Sequence, residues 1–208
     1  MACPYQAFTS TYTADWCDAG YVYCIVDSNC KLNYRKAQTA TFQKSTIGSV
    51  GDLSKSDVKT LSFVALPGLD FSRAVFPQSL EGLYATNNPT LTSLENINFG
   101  STQGVAFNGS PITKITNIVV GPQTRTFLLG KAALTTFLVS DATRLILEKT
   151  TSFAVGSIDV SASCVAPNKI MPLKSYSVPN TPNCGSWPQT ICGAYSRPRA
   201  CSHGKRPG

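Results

Sequence analysis

The chain has 208 residues, 42% of them hydrophobic and only 14% charged, which supplies a core and excludes a disordered chain or a set of long, charged surface helices. The formal net charge of +7 is concentrated at one end. Residues 1–159 carry twelve Lys and Arg against eleven Asp and Glu, whereas residues 160–208 carry six Lys and Arg and no acid. The predicted folded part is nearly neutral, which argues against a nucleic-acid partner.

Cysteines occur at the two ends of the chain. The eight disulfide candidates are Cys3, Cys17, Cys24, Cys30, Cys164, Cys184, Cys192 and Cys201. No C-x-x-C pair is present and the single histidine, His203, lies near the C-terminus, so disulfides are favoured over a metal site, and we expect no metal or cofactor. Because disulfides persist outside the cytosol, we expect an extracellular or cell-surface protein in which residues 1–57 form a Cys-rich cap.

Targeting signals are the next feature to consider. No stretch of the sequence approaches the roughly 20 apolar residues of a membrane span, and no secretory signal precedes Cys3. If the cysteines form disulfides, we expect either that a signal peptide was removed and Met1 added, or that the true start lies upstream.

The middle of the chain repeats every 22 residues. Aligned segments begin at Val58, Leu80, Thr102 and Thr124, and the fourth and sixth residues of each are of inward type. These pairs are Leu61 and Phe63, Leu83 and Ala85, Val105 and Phe107, and Phe127 and Leu129. The repeated step predicts a β-rich solenoid over residues 58–160, with four to five turns that each contribute one short parallel strand.

A second apolar group follows each of these kernels and predicts an opposite, extended or irregular wall. Its members are Leu69 and Phe71; Leu91, Leu94, Ile97 and Phe99; Ile112, Ile115, Ile118 and Val120; and Leu134, Phe137 and Val139. The period then shortens. We interpret Leu145 and Leu147 as the inward pair of a shortened repeat, 18 residues after Phe127, and Ile158 with Val160 as a capping strand.

Residues 161–208 differ in composition from the repeats. Beyond Met171 the chain is rich in proline and ends in a basic segment. This composition predicts a C-terminal cap followed by a partly disordered tail.

The segment "LEGLYATNN" (80–88) resembles the leucine-rich-repeat consensus L-x-x-L-x-L-x-x-N-x-L. With the 22-residue step, the resemblance covers about residues 58–160 and implies a horseshoe with a short parallel sheet on its concave face and Cys-rich caps. The opening "CPYQAF…DWC…YC-IVDSNCK" is also similar to repeat-bearing ectodomains of oomycete secreted proteins and receptor-like kinases. No kinase motif is present in this chain.

The ninth position of the consensus, usually an asparagine that pairs with backbone groups, departs from the family. It is Asn88 in one repeat and Leu66, Ser110, Ala132 and Thr150 in the others. Leu66 and Ala132 have no polar side chain, so their turns need another partner for buried backbone groups.

Side-chain alternation along the predicted strands selects the candidate ligand contacts, because residues beside the inward pair face solvent. We predict a contact column on the concave face composed of Tyr84, Arg125, Leu128, Arg144 and Ile146. The alternative is that isolated apolar residues on a small sheet are ordinary surface. Asn108, in the sequon Asn108-Gly109-Ser110, is the glycosylation candidate.

Catalytic groups are scarce. Asp70, Asp141 and Asp159 fall near turns, where aspartate binds backbone groups, and Glu81 and Glu95 would point from different sides of one repeat. We therefore expect a monomeric, non-enzymatic module that recognises a protein, peptide or glycan, free or as the ectodomain of a longer receptor. The alternatives are a secreted β-solenoid hydrolase, which would need acids clustered across adjacent turns, and a structural or decayed repeat protein without activity.

Overall fold

The computed structural model describes residues 2–35, 41–43, 47–130, 132–165, 168–172 and 190–193. In the N-terminal region the strands are β1 (Thr11–Thr13), β2 (Cys24–Val26), β3 (Leu32–Arg35), β4 (Thr41–Gln43) and β5 (Ser49–Val50). Four of them form a mixed sheet in the order β3-β2-β1-β5. The fourth strand, β4, instead pairs in parallel with the first strand of the repeats.

Four turns of a parallel solenoid follow, and we name each by its first strand. The β6 turn (58–79) contains β6 (Thr60–Val64), and the β7 turn (80–101) contains β7 (Gly82–Thr86), β8 (Ser93–Glu95) and β9 (Asn98–Phe99). The β10 turn (102–123) contains β10 (Gly104–Ala106), β11 (Lys114–Thr116) and β12 (Val119–Val120). The β13 turn (124–149) contains β13 (Thr126–Leu128), β14 (Ala133–Leu134), β15 (Thr136–Val139) and the helix α1 (Asp141–Leu147).

The chain then forms β16 (Ser152–Ala154), β17 (Ser157–Ile158), β18 (Lys169–Pro172) and β19 (Thr190–Gly193). Successive turns stack into two walls. The front sheet has six strands in the order β16-β13-β10-β7-β6-β4, all parallel. The back wall contains β8, β11 and β15, which also pair in parallel, with β19 and β18 beyond them. The protein is thus a β-rich parallel solenoid of about four turns with little helix.

The register predicted for the front sheet is confirmed. Leu61 pairs with Leu83, Leu83 with Val105, and Val105 with Phe127. All eight predicted inward side chains are buried at 0% exposure, and the apolar residues predicted for the opposite wall are buried as well. Both sets belong to one continuous hydrophobic core. The back wall is more regular than predicted, because much of it forms strands.

The shortened repeat at residues 145–147 was a wrong prediction. Residues 141–147 form α1, where the Ser140 hydroxyl accepts a hydrogen bond from the Thr143 N–H at the N-cap. The next front strand is β16, in which Phe153 pairs with Phe127 after a step of 26 residues. Leu145 is 42% exposed, so it belongs to no inward pair.

The ninth-position backbone groups find partners in the following turn. Asn88 Oδ1 accepts from the Leu66 N–H (2.9 Å), and Asn88 Nδ2 donates to the Phe63 carbonyl (3.2 Å). Ser110 does the same for the β7 turn, since its Oγ donates to the Ala85 carbonyl and accepts from the Asn88 N–H. A polar side chain thus completes the turn before its own, which explains how Leu66 is tolerated.

The last two ninth positions behave differently. Ala132 donates its own N–H to the Leu129 carbonyl (2.9 Å). Thr150 is not a ninth position, because it lies three residues before the inward Phe153, where Thr124 stands relative to Phe127.

Two disulfides join early cysteines to one another, Cys3 to Cys30 and Cys17 to Cys24. Cys164 is also disulfide-bonded. Cys184, Cys201 and the side chain of Cys192 lie outside the described residues, as do His203 and most of the basic tail. Within the described ranges, no helix has the length and apolar character that crossing a bilayer requires.

Candidate functional site

The candidate site lies on the solvent side of the front sheet, where β7, β10 and β13 run side by side. Its base is formed by two glycines at equivalent positions, Gly82 and Gly104, which pair across the strands. Neither carries a side chain, so the backbone itself forms a flat floor. This floor is 22 residues apart along the sequence and in direct contact in space.

Tyr84 lies over this floor. A Cβ atom placed on Gly82 would come within 2.9 Å of Tyr84 Cε2, and one on Gly104 within 3.4 Å of the Tyr84 hydroxyl oxygen. The ring therefore rests against both glycine backbones and remains 39% exposed. The structure presents a large, amphipathic side chain that is already supported from beneath, which lowers the conformational entropy lost on binding.

Polar side chains border the ring on one side. Glu81, Gln103 and Arg125 precede β7, β10 and β13, and their backbones are linked by hydrogen bonds from Gln103 N to Glu81 O (2.7 Å) and from Arg125 N to Gln103 O (2.8 Å). The three side chains thus form a row, one per turn, and all are exposed. Lys59 extends the row and lies 3.8 Å from Glu81, measured from Nζ to Oε1.

Together these groups line an open cleft of about 310 Å³. Its lining is formed by Thr60, Glu81, Gly82, Tyr84, Gln103, Gly104, Arg125 and Thr126. It combines one aromatic face with hydroxyl, amide, carboxylate and guanidinium groups, a composition suited to reversible recognition rather than to bond cleavage.

Three of the five predicted contacts lie on this face. Tyr84 and Arg125 share the cleft. Leu128 lies in the column of Tyr84, separated by Ala106, but does not line the cleft. It is half-buried on the outer side of β13.

The placement of Arg144 and Ile146 on the strand face was wrong, because both lie on α1. Arg144 forms salt bridges to Asp141 (2.7 Å) and Glu148 (2.5 Å), so its guanidinium neutralises acids of its own helix. Ile146 packs against the core. Neither extends the column of Tyr84.

The sequence analysis did not select Gly82 and Gly104, which shape the cleft. Their signal was present, since the aligned segments carry glycine at the same position in two successive repeats. Asn108, the glycosylation candidate, is exposed, whereas Ser110 of the same sequon is buried and hydrogen-bonded.

The acids noted in the sequence hold backbone or neighbouring side chains. Asp159 accepts from the N–H and hydroxyl of Ser161, and these hydrogen bonds lower the pKa of its carboxyl group. Glu95 is on the back wall, away from Glu81, and the hydrogen bond from Lys114 lowers its pKa. Among the described residues, no group of three or more His, Cys, Asp or Glu is placed to hold a metal ion.

In comparisons with protein-family models, curated proteins and solved structures, no match to this chain was found.

Proposed function

We propose that this protein is an extracellular recognition module of leucine-rich-repeat type that binds a protein, peptide or glycan in the cleft around Tyr84. The observation that carries the proposal is the Tyr84 ring held over Gly82 and Gly104 beside the exposed row of Glu81, Gln103 and Arg125. Aromatic and arginine side chains dominate binding energy where they are supported and accessible.

The location and class rest on separate observations. The disulfides Cys3–Cys30 and Cys17–Cys24 are compatible with an extracellular compartment. The 22-residue parallel turns support a repeat protein, and the module acts either free or as the ectodomain of a longer receptor.

A hydrolase has less support. The described cleft contains one acid, Glu81, whereas glycoside hydrolysis ordinarily needs two carboxylates flanking the scissile bond.

The test is a binding measurement on arrays of oligosaccharides and of peptides. The wild-type protein should bind members of one array, and the double variant Tyr84→Ala/Arg125→Ala should bind the same members more than tenfold more weakly, about 1.4 kcal/mol or more. Arg144→Ala is the matched control, because its guanidinium lies on α1. Equal binding by the folded double variant would exclude this cleft as the ligand site.

A further inference from the structure

The two walls of the solenoid differ between the β6 and β7 turns. On the front, β6 and β7 pair over five residues. On the back, the β6 turn forms a tight turn in place of a strand: the Ser72 N–H donates to Asp70 Oδ1 (2.6 Å) and the Ala74 N–H to the Phe71 carbonyl (3.0 Å). This aspartate turn satisfies the local backbone by itself, so the β8 ladder does not continue into the β6 turn.

As a result, β8 is the edge of the back-wall sheet. The Thr92 carbonyl accepts from the Lys114 N–H (3.3 Å), and the Asn96 N–H donates to the Thr116 carbonyl (3.0 Å). Alternate residues of a parallel strand direct their backbone groups to opposite sides, so those of Ser93 and Glu95 point away from β11. No described residue of the β6 turn hydrogen-bonds to them.

A cleft of about 300 Å³ lies on this free side of β8. Its floor includes Phe71, Leu91 and Ile97, which are buried core residues, and its rim includes Asp70, Ser93 and Glu95. A strand edge that faces a cleft with an apolar floor is a template for backbone pairing by another segment.

The charges of the cleft indicate the occupant. The only charged residues that line it are Asp70 and Glu95, both acidic. Glu95 is bound by Lys114 at 2.6 Å, whereas Asp70 has no salt bridge among the described residues. The uncompensated charge is thus negative and lies at the β6-turn side of the cleft.

We propose that β8 is a docking edge for an extended peptide, which adds a strand to the back wall and places a lysine or arginine beside Asp70. A peptide strand supplies the alternating N–H and C=O groups that Ser93 and Glu95 require, and its basic side chain matches the remaining acid. This site is separate from the cleft around Tyr84 and does not depend on the function proposed for it.

The test uses a fluorescent, end-capped seven-residue peptide of alternating threonine and valine with a central lysine, titrated with the full chain. We expect saturable binding to the wild-type protein and at least tenfold weaker binding to Ser93→Pro. Proline removes the outward N–H of Ser93, which the β11 ladder does not use, and edge strands tolerate proline at such positions. Circular dichroism checks that the variant folds.

Two further variants make the result specific. Asp70→Asn keeps an oxygen for the Ser72 N–H but removes the charge, so it should weaken the lysine peptide about three- to tenfold and leave a peptide with central threonine unchanged. Tyr84→Ala should bind the lysine peptide as the wild type does.

Three outcomes would overturn the proposal. They are absence of saturable binding to the wild type, equal binding by folded Ser93→Pro, and loss of peptide binding in Tyr84→Ala. Sedimentation of the protein alone provides a fourth: a dimer that Ser93→Pro dissociates would assign the edge to a second copy of the chain instead of a peptide.

Discussion

The front sheet and the back wall are built from the same 22-residue turns, yet only the front sheet is continuous through all four. Both bury their apolar residues equally well across the β6 and β7 turns. What differs is a single polar turn at Asp70, which replaces a strand on the back. Apolar periodicity therefore sets which side chains point inward, whereas local backbone bonding decides whether neighbouring turns pair.

The largest effect should come from removing a side chain that joins the two walls. Phe107 follows β10 at the front and its ring contacts Phe71 and Phe99, with centroids 6.1 and 6.0 Å away. We expect Phe107→Ala to lower the free energy of unfolding by about 3 to 5 kcal/mol, because a cavity opens between the walls. A denaturant titration followed by circular dichroism measures this loss.

Matched controls are Thr86→Ala and Gln103→Ala on the outer side of the front sheet. Each should change the free energy of unfolding by no more than about 0.5 kcal/mol. If these substitutions cost as much as Phe107→Ala, the inward and outward assignments would be wrong.

A smaller effect is expected from the polar residue at the corner where the front sheet ends. Asn88→Leu keeps the approximate size but leaves the Leu66 N–H and the Phe63 carbonyl without their buried partner. We expect the free energy of unfolding to fall by about 2 to 3 kcal/mol, measured as above.

Ser110→Ala provides the comparison, because Ser110 bonds to two backbone groups of the preceding turn through one hydroxyl. It should cost about 1 to 2 kcal/mol. A cost at Asn88 below that at Ser110 would contradict the view that Asn88 compensates for Leu66.

The smallest effect concerns exchange of single amides on the back wall. The Asn96 N–H is bonded across the ladder to the Thr116 carbonyl, whereas the Ser93 and Glu95 N–H groups face the cleft. We expect Ser93 and Glu95 to exchange at least tenfold faster than Asn96, equivalent to about 1.4 kcal/mol, by amide-resolved hydrogen exchange. Equal protection at all three residues would show that the edge of β8 is covered.

The sequence was sufficient to predict the front sheet and failed at the β13 turn. Where the step stayed at 22 residues, the inward pairs followed directly from alternation. At residues 141–147 the alternating Leu145 and Leu147 imitated a strand, while Ser140 at the N-cap and the i, i+3 and i, i+4 pairs of Arg144 were helix signals. Local helix chemistry outweighed the apolar spacing.

The candidate site was predictable to the extent that it depends on register. Tyr84 and Arg125 were placed on the outer face because alternation along β7 and β13 is fixed by the buried pairs. The glycine floor depends on how the Tyr84 ring leans across two strands, which is a rotamer choice that strand alternation does not determine. The break at Asp70 similarly depends on a side-chain-to-backbone bond that competes with a strand.

The backward reach of Asn88 and Ser110 gives the solenoid a direction during synthesis. The β6 turn leaves the ribosome before Asn88 exists to bond Leu66, and the β7 turn leaves it before Ser110. Each newly emerged turn therefore carries open backbone groups at its corner until the next 22 residues arrive. Nascent chains that end just before residue 88 should thus be less protease-resistant in the β6 turn than chains extended past it, and the array should gain its order one turn behind the growing end.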